Sequence, residues 1–546
     1  MKVKAKTIQA IGVGIIVLVV ALVSFFYWAE KKEIWFCDEV YSYESANGFE
    51  QEWPAANVDQ WMSGKEVEKF FSADWDSLSL NDITVRLYND HVPLYFWLFR
   101  MVSLWVFKGS GTIWIGLGIN LFFYLVTLGL IYRVFYHLTN SAFFAAGVVG
   151  VTGILNCLML EQAMTLRMYI MLLCLEVLLV WIGLQVLRQM EEGKMSLKAF
   201  AILFGVSLAG FLTHYHFWVF YAATASVCCM WLLISSIRRK KLWKSPECKI
   251  VPAWVGNFAA ALLTTIIIFP YCRWNLNRGK GEMALQSLFV FSKEKIDHIL
   301  WGYEHQVAAV FGDNFPTVIG LILVFGSILG GIIVLYKNKE IQQMTRLLLV
   351  FLICQVYQVI VCFTFPSAAE ERYLWGSFTL VMLCMFYGIY LLVQSLFLRI
   401  KGGGYSKIVQ GVVTLGLFLS FAVVQVLAIN GGRGVAYLFY ADKDVELLET
   451  HAATPWVVYG SVMDAYSYYD LLIPEQLCFL TQEDTPEDVA AIQKVLEEGQ
   501  FLLYTTEGYY PKAMEFFEVA LEREITGKYL MRSTNLSIYL VDVATE

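Results

Sequence analysis

Apolar runs recur along this chain near residues 8–28, 112–136, 141–160, 167–187, 198–213, 216–236, 251–270, 316–336, 346–365, 373–396 and 407–429. Each is close to the roughly 20 residues an α-helix needs to cross a bilayer core of about 30 Å, so the pattern predicts eleven spans. A twelfth apolar stretch, Val92–Phe107, is shorter and carries Arg100. Lys and Arg decide whether it crosses, because basic residues gather in the loops that stay inside. If it lies in the interface, Lys2, Lys4 and Lys6 share a side with four other basic groups. These are Arg188/Lys194/Lys198, the Arg238-to-Lys249 cluster, Lys337/Lys339/Arg346 and Arg399/Lys401/Lys407. If it crosses, the loop from Arg238 to Lys249, the most basic in the chain, moves outside. The interfacial reading is the better one. It puts two long loops, about 29–111 and 271–315, and the C-terminal tail on the outer side. The first run is too long, and lacks a small-residue cleavage site before Glu30, to be a removable signal; it is expected to stay as an anchor.

From about residue 430 the pattern changes. Trp456–Tyr459, Gln476–Leu480, Phe501–Thr505 and Leu536–Val543 are strand-like. Thr485-Pro486-Glu487-Asp488 opens a helix with a capping residue, a proline in the first turn and an acid three residues on. The expected architecture is a polytopic α-helical membrane domain, 1–429, followed by a small extracytoplasmic α/β domain, 430–546. No Gly-rich phosphate loop or nucleophile elbow occurs in the tail.

Composition supports this division. Hydrophobic residues are 58% and charged residues 16% of the chain, against about 45–50% and 25% in soluble domains. That excludes a soluble enzyme, a disordered scaffold and a nucleic-acid binder. The net charge of −7 hides two unlike parts: 20 acidic and 7 basic residues from Asn430 onward, against 33 basic and 27 acidic before it. The eleven cysteines fall mostly inside apolar runs and show no Cys-x-x-Cys spacing, so packing explains them better than disulfides or zinc.

With this topology the ionisable residues at helix ends sort onto the outer side: Asp38, Glu39, Asp90, His91, Glu161, Arg167, His214, His216, Glu370, Glu371 and Arg372. Only Glu176 falls mid-span. A transport path needs ionisable groups near the midplane, where each is costly and therefore functional. One-sided clustering points instead to chemistry at the membrane surface. Adjacent carboxylates there can deprotonate a hydroxyl or hold a divalent cation. Arginines suit a phosphate, because guanidinium presents paired donors and stays charged. Carboxylate, arginines and a wall of helices together read as group transfer from a lipid-phosphate donor to a hydroxyl.

The motifs resemble those of the GT-C superfamily of polyprenyl-phosphate-dependent glycosyltransferases. Within it they are most similar to the bacterial relatives of protein O-mannosyltransferases and to lipid A aminoarabinose transferases. Asp38-Glu39, within Trp35–Gly48, resembles the acidic pair of the first outer loop. Asn89–Phe96 is similar to the His-Pro-Pro-Leu element, with Val92 in place of the first proline. Leu166–Tyr169, Thr213–Phe217 and Glu371–Trp375 resemble later motifs. The resemblance covers roughly residues 8–400 and implies roles for several residues. Asp38 would be the base or the group that orients the acceptor, with Glu39 supporting it or helping to bind a cation. Arg372 and Arg167 would hold the donor phosphate. Asp90, His91, Tyr169, His214, Tyr215, Glu371 and Tyr373 would shape the pocket, and the loop holding Gly279-Lys280-Gly281 and Tyr303-Glu304-His305 would cover the donor. A divalent cation is left open.

The expected function is an inverting glycosyltransferase that moves a sugar from a polyprenyl-phosphate donor, such as an undecaprenyl-phosphate sugar, to a hydroxyl on a glycan, lipid or protein. It would be a multi-pass protein of a bacterial plasma membrane with a cytoplasmic N-terminus. The rival reading is a transporter or flippase of lipid-linked sugar, which inverted repeats and broken mid-membrane helices would favour. A third is a receptor or assembly protein whose acidic outer domain binds a partner.

Overall fold

The computed structural model describes residues 2–32, 35–47, 60–63, 71–73, 75, 79–87, 91–191, 196–238, 250–273, 279–287, 290–364, 370–398, 403–435, 438, 446, 449–460, 477–481, 499–533 and 536–544. Among the described residues, eight helices are long and apolar enough to cross a bilayer: Thr7–Ala29, Trp114–Thr139, Tyr169–Gln189, Tyr215–Ile237, Thr317–Lys337, Ile341–Thr364, Trp375–Phe397 and Ile408–Asn430. Outward-facing side chains of the first and last of these, such as Ile8, Ile15, Val23, Val412, Leu419 and Leu427, are exposed and apolar, as contact with lipid requires.

The other three apolar runs are helical but depart from straight full-length spans. The run near 141–160 is broken into Ala142–Ile154 and Cys157–Met164, which meet at 59°. The runs near 198–213 and 251–270 are the shorter helices Leu197–Phe211 and Pro252–Ile268. The 15 residues of the former rise about 22 Å, less than a core of about 30 Å. Leu94–Phe107 is likewise a short apolar helix, 14 residues long.

The break is built into the sequence. A π-turn, Gly150–Ile154, ends the first half. Asn156 then caps the second half by accepting the Met159 N–H at 3.1 Å. A helix broken inside a membrane leaves backbone groups that water cannot satisfy. Gln425 of the last helix fills that role: its Oε1 accepts from Cys157 N at 3.2 Å and Asn156 Nδ2 at 3.0 Å. Its Nε2 donates to the Val310 carbonyl at 2.7 Å. Two buried amides thus suture the break to two distant helices.

The first long loop holds the helix Cys37–Asn47, the strand β1 (Gln60–Ser63) and the helix Leu80–Arg86. The second is mostly helical, as Gly279–Ser287 and Lys293–Phe311.

The remaining strands are β2 (Trp456–Tyr459), β3 (Leu477–Thr481), β4 (Gln500–Thr505), β5 (Ile525–Ser533) and β6 (Leu536–Val543). They form one mixed sheet in the order β1-β3-β2-β4-β6-β5. β2 lies parallel to β3 and β4; β1, β5 and β6 run antiparallel to their neighbours. The edge strand β1 comes from the first long loop, more than 400 positions away from its partner β3 (Gln60 pairs with Leu480). The period-2 alternation buries both faces. Val457, Tyr459, Phe501 and Leu503 pack on the helix Tyr510–Leu521 through Ala513 and Phe517. Trp456, Val458, Leu502 and Tyr504 belong to the same buried cluster as the helical body. The helix expected from Thr485 lies outside the described residues. Cys157, Cys174, Cys228, Cys229, Cys272, Cys354, Cys362 and Cys384 are free, and all of these but Cys229 are buried.

Candidate active site

Asp38 is the second residue of the helix Cys37–Asn47. The segment caps itself: Glu39 accepts the Phe36 N–H at 3.0 Å, closing the first turn from the third helical position. At the other end, Arg86 donates to the Ser45 carbonyl at 3.3 and 3.4 Å and Arg100 donates to the Ala46 carbonyl. Two guanidinium groups thereby satisfy terminal carbonyls and complement the negative end of the helix dipole. The positive end of this short helix is left to Asp38.

Arg372 arrives from the 3-10 turn Glu371–Tyr373, which leads into the helix Trp375–Leu398. Its Nη1 donates to Asp38 Oδ2 and its Nη2 pairs with Glu370 at 2.5 Å. Its guanidinium carbon lies 5.9 Å from the Tyr169 ring centre and 5.7 Å from that of Tyr373, within cation–π range. Arg167 arrives from the tight turn after the helix Cys157–Met164. Asn120 holds that turn, donating to the Ala163 and Thr165 carbonyls at 3.1 and 2.6 Å. Arg167 Nη1 donates to the Asp38 carbonyl at 3.0 Å and to Ser42 Oγ at 3.1 Å, and Nη2 lies 3.1 Å from His91 Nε2.

Two arginines from distant turns therefore meet at one residue, Arg372 on the Asp38 carboxylate and Arg167 on its backbone carbonyl. Both Nε atoms, those of Arg167 and Arg372, are buried with no hydrogen-bond partner among the described residues. Burial alone would raise the Asp38 carboxyl, but the charges of Arg167, Arg372 and His91 outweigh it and hold the group below the ordinary carboxylate value. Asp38 is ionised at neutral pH.

A ring stack forms one wall. His216 stacks on Tyr373 at 4.3 Å and on His214 at 5.1 Å; His214 lies 6.1 Å from Tyr169. His214 Nδ1 accepts the His216 N–H at 3.1 Å. Burial, then the neighbouring His216, His91, Arg167 and Arg372, push His214 well below its usual pKa, so it is neutral.

Asp38, His91, Arg167, Tyr169, His214, Arg372 and Tyr373 thus converge. Other expected residues take different positions. Glu39 is fully buried, with Oε2 3.0 Å from Lys32 Nζ and Oε1 accepting the Leu166 N–H at 2.7 Å. Burial raises the Glu39 carboxyl, while the Lys32 ammonium and two amide donors favour its charged form. Glu371 turns to Arg433, accepting from Nη2 at 2.5 Å. Burial and the nearby Glu161 push its carboxyl up; the guanidinium in direct contact acts the other way. The Tyr215 ring packs beside Trp218, 5.5 Å away. Asp90 lies outside the described residues. The mid-span Glu176 is buried, and neither of its oxygens has a hydrogen-bond partner among the described residues.

Sequence reasoning passed over Ser42, Lys32 and Arg433. Ser42 had a signal, since it stands four residues after Asp38 on one helix face. The other two are visible only once the chain is folded. A divalent cation does not fit the carboxylates found here: Asp38 faces Arg372 and Glu39 faces Lys32. Among the described residues no group of three His, Cys, Asp or Glu side chains is arranged to hold a metal ion.

No protein-family model matches the chain. No curated protein matches it either. Among solved structures it is similar to ArnT from Cupriavidus metallidurans bound to undecaprenyl phosphate, with a TM-score of 0.47 and 12% identity over 96% of this chain and 97% of that one. The apo state of ArnT gives 0.47 and 12% over 97% and 98%. The archaeal oligosaccharyltransferase AglB from Archaeoglobus fulgidus, in complex with an inhibitory peptide and a dolichol-phosphate, gives 0.45 and 9% over 98% and 74%.

Proposed function

We propose that this protein is an inverting glycosyltransferase that moves a sugar from a polyprenyl-phosphate donor to a hydroxyl acceptor. It works at the outer face of a bacterial plasma membrane, with a cytoplasmic N-terminus and residues 430–546 outside. One observation carries the reading: an ionised Asp38 stands between two arginines, each with a buried Nε that has no hydrogen-bond partner among the described residues. The distribution of Lys and Arg among the loops supports the orientation.

The arginines bind the donor phosphate, whose oxygens take the free Nε–H groups and compete with Asp38 for Arg372. The acceptor oxygen attacks the anomeric carbon from the face opposite the phosphate. The bond from that carbon to the phosphate oxygen breaks, and its electron pair leaves on the lipid phosphate. The acceptor proton passes to Asp38. Because positive charge develops on the sugar before the new bond is complete, the hydroxyl becomes acidic late, and a carboxylate of low pKa suffices as base. Arg167 and Arg372 neutralise the departing phosphate, and such preorganised stabilisation is the larger share of the catalysis. Neutral His214, with Tyr169 and Tyr373, offers ring faces and hydrogen-bonding groups to the sugar.

The test is to incubate the purified protein with a panel of undecaprenyl-phosphate sugars and acceptors and to follow release of the free lipid phosphate. Release from one donor supports the reading. A folded protein that binds the lipid-linked sugars but releases nothing with any acceptor class contradicts it.

A further inference from the structure

Arg372 already has a carboxylate on each terminal nitrogen, Asp38 on Nη1 and Glu370 on Nη2. The same short turn carries a third, Glu371, and any further carboxylate on this guanidinium would compete with a phosphate. Glu371 is drawn away. Its Oε1 accepts from Arg433 Nη2 at 2.5 Å, and Arg433 Nη1 pairs with Asp313. The Arg433 side chain is 12% exposed, so the pair is shielded and its geometry is fixed rather than a passing surface contact.

The chain puts Arg433 there by a constrained turn. The last spanning helix ends at Asn430. Gly432 and Gly434 then take φ of 95° and 76°, and Arg433 N donates to the Ala428 carbonyl at 3.0 Å. A Cβ on Gly434 would lie 2.2 Å from the Cys157 carbonyl oxygen, so only glycine permits this contact with the start of the helix that leads to Arg167. Asp313 stands two residues past the end of the helix Lys293–Phe311 of the second long loop. One guanidinium therefore ties the root of the C-terminal region and the second loop to the turn that presents Arg372.

We infer that Arg433 is a positioning residue for the phosphate-binding arginine, acting through Glu371: it removes a competing carboxylate from Arg372 and fixes the turn that carries it. This rests on the donor reading above. Its direct contacts are to Glu371 and Asp313, and its role is felt as donor affinity, not as the chemical step.

The experiment measures binding of undecaprenyl phosphate to the full-length protein in detergent, with melting temperature recorded alongside, for wild type, Arg433→Met, Arg433→Lys and Arg433→Met/Glu371→Gln. Arg433→Met is expected to weaken binding about tenfold, or about 1.4 kcal/mol, at a melting temperature close to that of wild type. Arg433→Lys should recover most of the loss, because charge is kept. The double variant should bind more tightly than Arg433→Met, because the freed carboxylate is gone. Wild-type affinity in a folded Arg433→Met, or a double variant no better than the single one, overturns the inference alone. If Arg433→Met does not fold, Arg433→Lys/Glu371→Gln decides in its place: affinity no better than that of Arg433→Lys overturns the inference. Failure of folded wild type to bind the lipid phosphate overturns the donor reading and this inference with it.

Discussion

Asp38 and Arg372 stand 334 positions apart in sequence and meet side chain to side chain. The contact joins the helix Cys37–Asn47 of the first long loop to the turn before the helix Trp375–Leu398, so the site closes only when both ends of the helical body have assembled. It also sets a competition, since the guanidinium that quiets Asp38 is one of the two we propose for the donor phosphate.

That competition fixes how each arginine should fail. Arg372→Ala and Arg167→Ala remove charge-assisted hydrogen bonds, worth about 1.5–3 kcal/mol each, so the Kd for undecaprenyl phosphate should rise roughly 10- to 150-fold. The KM for acceptor should change little. Equal effects on donor and acceptor in steady-state kinetics would count against a phosphate contact.

The acid limb of the pH profile follows from the same charges. Asp38 is held below the ordinary 3.8 by Arg167, Arg372 and His91 against the opposing effect of burial. The ionised form is therefore present above that value and is lost only as pH falls through the lower folded value. In kcat/KM, which reports the free enzyme, activity should persist to below the usual carboxylate range. Arg372→Gln removes one depressing charge, so its acid limb should move to higher pH. An unmoved limb would separate the titration from Asp38.

Glu39 behaves as part of the scaffold. Replacing it by Ala leaves Lys32 buried without its carboxylate and two amides without an acceptor. Stranding one member of a buried pair costs about 3–5 kcal/mol. Glu39→Ala should lower the melting temperature in detergent by several degrees, whereas Asp38→Asn, at the solvent edge of the site, should not. A Glu39→Ala protein as heat-resistant as wild type and inactive would restore Glu39 to a chemical role.

Gly376 is a steric requirement. A Cβ there would lie 1.6 Å from Glu176 Oε2. Gly376→Ala should therefore destabilise the packing of the Trp375 helix on the Tyr169 helix, by roughly the 1–3 kcal/mol typical of overpacking. Adding Glu176→Ala should relieve most of that loss. A destabilisation that persists in the double variant would place the cause elsewhere.

What was legible in the sequence followed from period and charge. Apolar runs marked the helices, and strand-like patterns marked β2, β3, β4 and β6. Less legible was anything set by tertiary partners. The break at Asn156 reads as a continuous apolar run until Gln425, 269 residues later, is seen to satisfy it. β1 pairs with a strand far along the chain, and β5 carries the bulky polar sequence Ile525–Ser533, whose alternation is weak. In the site, motifs at helix ends marked Asp38, Arg167, His214 and Arg372. They placed Glu39 beside Asp38 as a support or cation ligand, whereas one helical step separates the group that meets Arg372 from one that turns to the buried Lys32.

The most direct measurement is donor turnover by Asp38→Asn under single-turnover conditions, paired with its affinity for undecaprenyl phosphate. The account predicts transfer reduced by about 10²–10⁴, the share of a positioned base, with lipid-phosphate binding equal to or tighter than wild type because Arg372 is released. Transfer at the wild-type rate in that variant would contradict the assignment of Asp38 as the base.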